Sequence, residues 1–207
     1  SVGAADGSVS FDDPKLATPD DKFEIGSQTK MMTTTVLLQL VDEGHFSLDD
    51  RLADVMDVTP LSWMPNIEEV TIEQLMTHKS GIPDYVNTVG VQQGMEELLS
   101  QDPPQPIGVE EFLRLFEAAN LPATAEPGAE ISYSNTGFTL LGLLIENATG
   151  RSLADEFQTR IFDPAGMSST SLPSFELPDG VLKSYLAVTN ELFLDVTDLP
   201  IAEHGEG

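Results

Sequence analysis

Cysteine is absent from the 207 residues, which excludes disulfides and thiolate-bound metals and fits a periplasm as well as a cytoplasm. Basic residues are scarce. Nine Lys and Arg stand against 35 Asp and Glu, a formal net charge of −26. That balance argues against a nucleic-acid partner, because a polyphosphate would be repelled. No apolar run approaches the roughly eighteen residues of a membrane span. The N-terminus has no basic, apolar leader-like stretch, so any export signal is expected to have been removed or never to have existed. Internal repeats and low-complexity tracts are also missing. Hydrophobic residues are plentiful at 40%, enough for a packed core, so disorder is excluded. The acidity has two readings, a merely soluble surface or adaptation to high salt, where counter-ions screen the self-repulsion.

The pattern along the chain is mainly helical. Residues 1–22 are rich in Gly, Ser, Asp and Pro and read as turns, with at most a short strand near Ser8–Phe11. A helix is predicted over 27–43, with Met31, Val36, Leu37, Leu40 and Val41 as its apolar surface and Gly44 as its stop. Ser47-Leu-Asp-Asp50 reads as a helix start leading into Arg51–Met56. Thr71-Ile-Glu-Gln74 is a capping box, with Gly81 and Pro83 ending that element. Helices follow at about 91–100 and 109–119. Asn135–Thr149 is strongly apolar and closed by Gly150, and Ser152 caps a further helix through Phe162. Strand character is confined to the tail, near Val181–Val188 and Glu191–Val196. Three stretches are expected: 1–26 as turn and strand, 27–172 as the helical region, and 173–207 as a partly extended tail.

Ser27-Gln-Thr-Lys30 opens the first helix just after Gly26. Residues three apart share a helical face, so the lysine amine can reach the serine hydroxyl. A hydroxyl is a poor nucleophile until an adjacent base takes its proton, and a neutral lysine can be that base. The helix start adds unpaired N–H groups and a dipole that favours a developing anion. The spacing alone is weak evidence, since a chain of this composition yields about 0.4 such pairs by chance. A second motif, Tyr133-Ser-Asn135, follows the Pro127-Gly128 turn. A phenol beside a serine–lysine pair can relay protons, and an amide can hold a carbonyl or an N–H. Tyr85-Val-Asn87 has the same form, and spacing does not choose between the two. His45 and His78 read as satisfied polar groups without metal-site spacing. Met31 and Met32 read as core packing.

Three blocks carry a family resemblance. Phe23-Glu-Ile-Gly-Ser-Gln-Thr-Lys30, with Leu37-Leu-Gln-Leu-Val-Asp-Glu-Gly44 and Leu48-Asp-Asp50, resembles the nucleophile region of class C β-lactamases and D-alanyl-D-alanine carboxypeptidases. Val70-Thr-Ile-Glu-Gln-Leu-Met-Thr-His-Lys-Ser-Gly-Ile-Pro-Asp-Tyr85 resembles that family's second block. Pro127-Gly-Ala-Glu-Ile-Ser-Tyr-Ser-Asn-Thr-Gly-Phe138, with Leu140-Leu-Gly142 and Ala165-Gly-Met167, resembles its third. The resemblance picks Tyr133 over Tyr85. It implies an α+β, serine β-lactamase-like fold, represented here mainly by its helical region, with most of the antiparallel sheet outside the chain. It also implies an acyl-enzyme on Ser27, proton handling by Lys30 and Tyr133, and substrate positioning by Asn135, with no metal or organic cofactor. The substrate classes implied are D-alanyl peptides, β-lactams, esters and other amides, and Tyr-Ser-Asn is closer to the carboxypeptidase and esterase branches. The rival on the same fold is a non-catalytic sensor or binding protein.

The family's Lys-Thr-Gly or His-x-Gly motif is not found. His204-Gly-Glu-Gly207 places a glutamate where His-x-Gly needs glycine. The chain is therefore expected to pair with further polypeptide that completes the sheet and supplies the second oxyanion donor beside the Ser27 N–H. A periplasmic or secreted location is expected with it.

Overall fold

Small and apolar residues recur every three or four positions between Thr29 and Leu40, the spacing that puts them on one helical face. In the computed structural model, which describes residues 3–86, 88–103, 105–173, 177–187, 193–195 and 197, this stretch is α1, Thr29–Asp42. It buries Thr29, Lys30, Thr33, Val36, Leu37 and Leu40. A 3₁₀ turn, Gly26–Gln28, precedes it. Met31, expected in the core, is instead 65% exposed, because it points off the opposite face of the helix. Met32 packs against the core.

Ser47–Asp50 is a turn and not a helix start. The Ser47 N–H donates to the Asp50 carboxylate, and the Asp50 N–H donates back to the Ser47 carbonyl. Helix α2, Leu52–Val55, begins one residue later, after an extended Arg51. Helix α3, Ile72–Met76, carries the expected capping box. Thr71 Oγ1 accepts from the Gln74 N–H, and the Gln74 side chain accepts from the Thr71 N–H. Its end differs from expectation. The chain leaves the helix at His78, which adopts a left-handed conformation (φ 57°), before Gly81 is reached.

Helices α4, Val89–Leu99, and α5, Val109–Ala119, pack on each other. Helix α6, Asn135–Thr149, is apolar nearly all round. Ser134 caps it by accepting the Gly137 N–H, and Gly150 ends it at φ 68°. Burial on most sides suits a central helix, and α6 contacts α1, α3 and α7, Leu153–Phe157. Its Leu140, Leu141, Leu144 and Ile145 are fully buried, each worth about 1.5–3 kcal/mol by transfer. One continuous apolar core runs from Val36 to Phe162.

After α7 the helix widens into a π turn, Gln158–Phe162, and continues as α8, Asp163–Ala165, past the expected stop at Phe162. Pro164, which has no N–H to donate, lies just after the π turn. Strands β1, Tyr185–Ala187, and β2, Phe193–Asp195, form an antiparallel ribbon that pairs Leu186 with Leu194. They lie inside the two predicted extended stretches but are shorter. The N-terminal segment contributes isolated bridges, Ser8 to Leu16 and Lys22 to Val181. No helix among the described residues is long and apolar enough to cross a membrane.

Candidate active site

Gly26 takes a positive φ of 51°, which turns the chain into the 3₁₀ turn and leaves Ser27 exposed at the mouth of α1. One turn further on, Lys30 is buried. Its Nζ donates to Ser27 Oγ at 3.2 Å and to Asn135 Oδ1 at 2.7 Å. The same Nζ lies 5.1 Å from the Tyr133 ring centroid and 5.4 Å from that of Phe138, within cation–π range of both. Ser27 Oγ and Tyr133 Oη are 2.7 Å apart, a hydrogen bond in which either hydroxyl can donate. A nucleophile candidate therefore touches two groups able to exchange protons with it.

Tyr133 and Asn135 reach this point because the chain turns at Gly128 (φ 83°) and runs extended into the Ser134 cap of α6. Tyr133 is 49% exposed, and its hydroxyl meets Ser27 Oγ. Asn135, as the first residue of α6, is held from behind. Its backbone N–H and its Nδ2 donate to Asp84 Oδ1 at 3.0 and 3.1 Å. His78 stacks on Tyr133, ring centroids 4.4 Å apart and planes at 30°, and its Nδ1 accepts the Ser134 N–H at 3.2 Å. Burial and then the charge of Lys30 hold the His78 imidazole below its ordinary pKa, while Asp84 pulls the other way.

The four residues singled out in the sequence, Ser27, Lys30, Tyr133 and Asn135, thus meet in one hydrogen-bonded cluster. Tyr85 does not join it. Its ring is buried against Phe112 at 4.7 Å, and its backbone N–H donates to Thr136 Oγ1. Asn87 and His204–Gly207 lie outside the described residues. Sequence reasoning did not single out Asp84 and read His78 only as a satisfied polar group, without its contacts to Tyr133 and Ser134. Both sit in the second block of the resemblance, which is the one signal that could have flagged them.

The β-lactamase family profile matches residues 3–193. The chain belongs to the β-lactamase family. Its relatives there include penicillin-binding protein 4 of Amycolatopsis lactamdurans, 31% identical over 188 residues, covering 89% of this chain and 44% of that protein. Among solved structures, a penicillin-binding protein from Bacillus halodurans superposes with a TM-score of 0.75 at 28% identity, covering 99% of this chain and 59% of that one. A D-stereospecific amidohydrolase from Streptomyces does so with a TM-score of 0.73 at 29% identity, covering 88% and 54%. This β-lactamase-family chain has the serine β-lactamase-like fold, mostly helical with few strands among the described residues, and spans less than two thirds of the length of these relatives.

Proposed function

We propose that the chain carries the acylating centre of a serine hydrolase acting on amide, peptide, β-lactam or ester carbonyls, with D-configured amides or peptides favoured. One observation carries this reading: Ser27 Oγ is in hydrogen-bond contact with both Lys30 Nζ and Tyr133 Oη. Ser27 Oγ attacks the carbonyl carbon while its proton passes to Lys30 in its free-base form, directly or through the phenol. The leaving nitrogen or oxygen takes that proton as the carbonyl–leaving-group bond breaks, giving an acyl-serine. Water, deprotonated by the same pair, then releases the acid. Asn135 holds the Lys30 amine by its Oδ1. The Ser27 backbone N–H, with no partner among the described residues, is one oxyanion donor. The D-stereospecific relative supports the substrate preference.

Covalent labelling by a fluorophosphonate or a fluorescent penicillin tests the reading. Ser27→Ala should abolish the adduct with the fold intact. Lys30→Arg should be nearly inert, because a guanidinium does not release its proton. An adduct that persists in Ser27→Ala would overturn the assignment, and a wild-type protein that binds penicillin without any adduct would favour the sensor alternative. Further polypeptide is the proposed source of the second oxyanion donor and of the remaining sheet, with a periplasmic or secreted setting. Native mass spectrometry showing full activity at 22.4 kDa without a partner would exclude that part.

A further inference from the structure

The second sequence block, Val70–Tyr85, has a clear presence in the fold and no part in the chemistry above. Its second half, residues 78–85, runs alongside residues 132–136 and is stitched to them bond by bond. The Ser132 N–H donates to the His78 carbonyl at 2.8 Å, and the Ser134 N–H to His78 Nδ1 at 3.2 Å. The Asn135 N–H and Nδ2 both donate to Asp84 Oδ1, Thr136 Oγ1 donates to the Pro83 carbonyl at 2.7 Å, and the Tyr85 N–H returns to Thr136 Oγ1 at 3.1 Å.

The loop is itself pinned from the other side. Thr124 N–H donates to the Gly81 carbonyl, Gly128 N–H donates to the Lys79 carbonyl, and Asn66 Nδ2 donates to both Ser80 and Ala125 carbonyls. Gly81 permits this approach. A Cβ there would lie 2.0 Å from the Ala125 carbonyl oxygen, and its φ is +66°. His78 is held at φ 57°, a conformation that costs an L-residue on the order of 1 kcal/mol and persists only where the surroundings fix it.

Two consequences fall on the reactive groups. Asp84 takes both of the Asn135 donors on one oxygen, so the Asn135 amide has one orientation that satisfies it, with Oδ1 turned to Lys30. The His78 ring backs the Tyr133 ring on one face while its Nδ1 fixes the next peptide, so the phenol has a defined direction toward Ser27. Resting on the assignment of Ser27 above, we propose that His78 and Asp84 are positioning residues, acting on the chemistry through Tyr133 and Asn135 respectively. Neither touches the reacting atoms. A displacement of about 1 Å at such a centre costs on the order of 10²-fold in rate.

Second-order rate constants for fluorophosphonate labelling of the full protein test this in two double-mutant cycles, with melting temperature and circular dichroism recorded for each variant. Asp84→Ala should label about 10²-fold more slowly, and Asp84→Asn, which keeps an acceptor, should recover to within about fivefold. In an Asn135→Ala background, Asp84→Ala should cost less than about twofold, since the residue it acts through is gone. His78→Asn, which tolerates positive φ but has no ring, should slow labelling at least about tenfold in the parent and less than about twofold in Tyr133→Phe. Equal losses in parent and background, or Asp84→Asn as slow as Asp84→Ala, would mean a general structural role and overturn the proposal. If His78→Asn does not fold, the Asp84 cycle decides alone. Wild-type protein that is not labelled at Ser27 would instead overturn the catalytic assignment, so the two failures are distinct.

Discussion

Arg160 is the most informative stability perturbation outside the active site. It lies in the π turn after α7, its side chain 20% exposed, and reaches two carboxylates. One is Glu156, only 2% exposed, which also meets Arg151 Nε at 3.2 Å. The other is Glu43, the residue that closes α1, 45% exposed and gripped through both oxygens at 2.6 and 3.0 Å. The two carboxylates hold the Arg160 guanidinium firmly protonated, Glu43 contributing most. Removing one partner of a buried ion pair costs about 3–5 kcal/mol, because the other charge stays in place. Arg151 remains beside Glu156, which reduces the expected loss for Arg160→Met to about 2–3 kcal/mol. Methionine keeps the unbranched stem packed, so the change isolates the charge. The Glu43 arm is exposed and largely solvent-screened, so it contributes less than the Glu156 arm. For a chain of this length 1 kcal/mol moves the melting temperature by roughly 2–4 °C. Arg160→Met should therefore lower it by about 4–12 °C, and Glu43→Gln by clearly less. Thermal denaturation followed by circular dichroism at 0.1 and 1 M NaCl checks this. Salt should shrink the Glu43 effect and leave most of the Arg160 effect. An Arg160→Met loss no greater than that of Glu43→Gln would refute the argument.

Tyr133→Phe should slow covalent labelling by about 10²-fold or more, whereas Tyr85→Phe should label at the parental rate, since its ring is buried against Phe112. The reverse ranking would mean that the wrong tyrosine had been assigned. The pH dependence of stability should carry a His78 component. Lys30 from α1, Tyr133 from the segment before α6 and Asp84 from its own loop face the ring. Its folded pKa lies below the free value of about 6.5. Above that value both states are neutral and the contribution is complete. As pH falls through 6.5 toward the depressed value, the unfolded chain takes up the proton first and stability drops. The stability difference between the parent and His78→Asn, from urea titrations, should shrink between pH 7 and pH 5. A constant difference would contradict the assignment.

Much of the helical framework was legible because its signals are local. The Thr71–Gln74 box, the Ser134 cap and the Gly150 stop each act within a turn of the helix they bound, and α6 lies where they place it. Errors arose where a second solution satisfied the same residues. Ser47 and Asp50 close a turn on themselves, His78 ends α3 earlier than Gly81 would, and Met31 sits on the face of α1 turned away from α6. Within the site, Ser27 and Lys30 were readable from helical spacing, and the choice of Tyr133 over Tyr85 came from resemblance. The contacts of His78 and Asp84 span 51 to 56 residues of sequence, and no periodicity encodes them.

The Ser27–Tyr133 and Lys30–Asn135 bonds join positions 106 and 105 residues apart. Closing loops of that length costs conformational entropy that local helix formation does not recover, so such pairings come late as a chain collapses. Helicity can therefore return to a refolding sample well before the reactive cluster exists. On the proposed assignment, Ser27 labelling would be a clock for the final assembly step: in a refolding time course, labelling competence should lag the far-ultraviolet signal, and the interval between them would measure how long the chain spends helical but chemically blank.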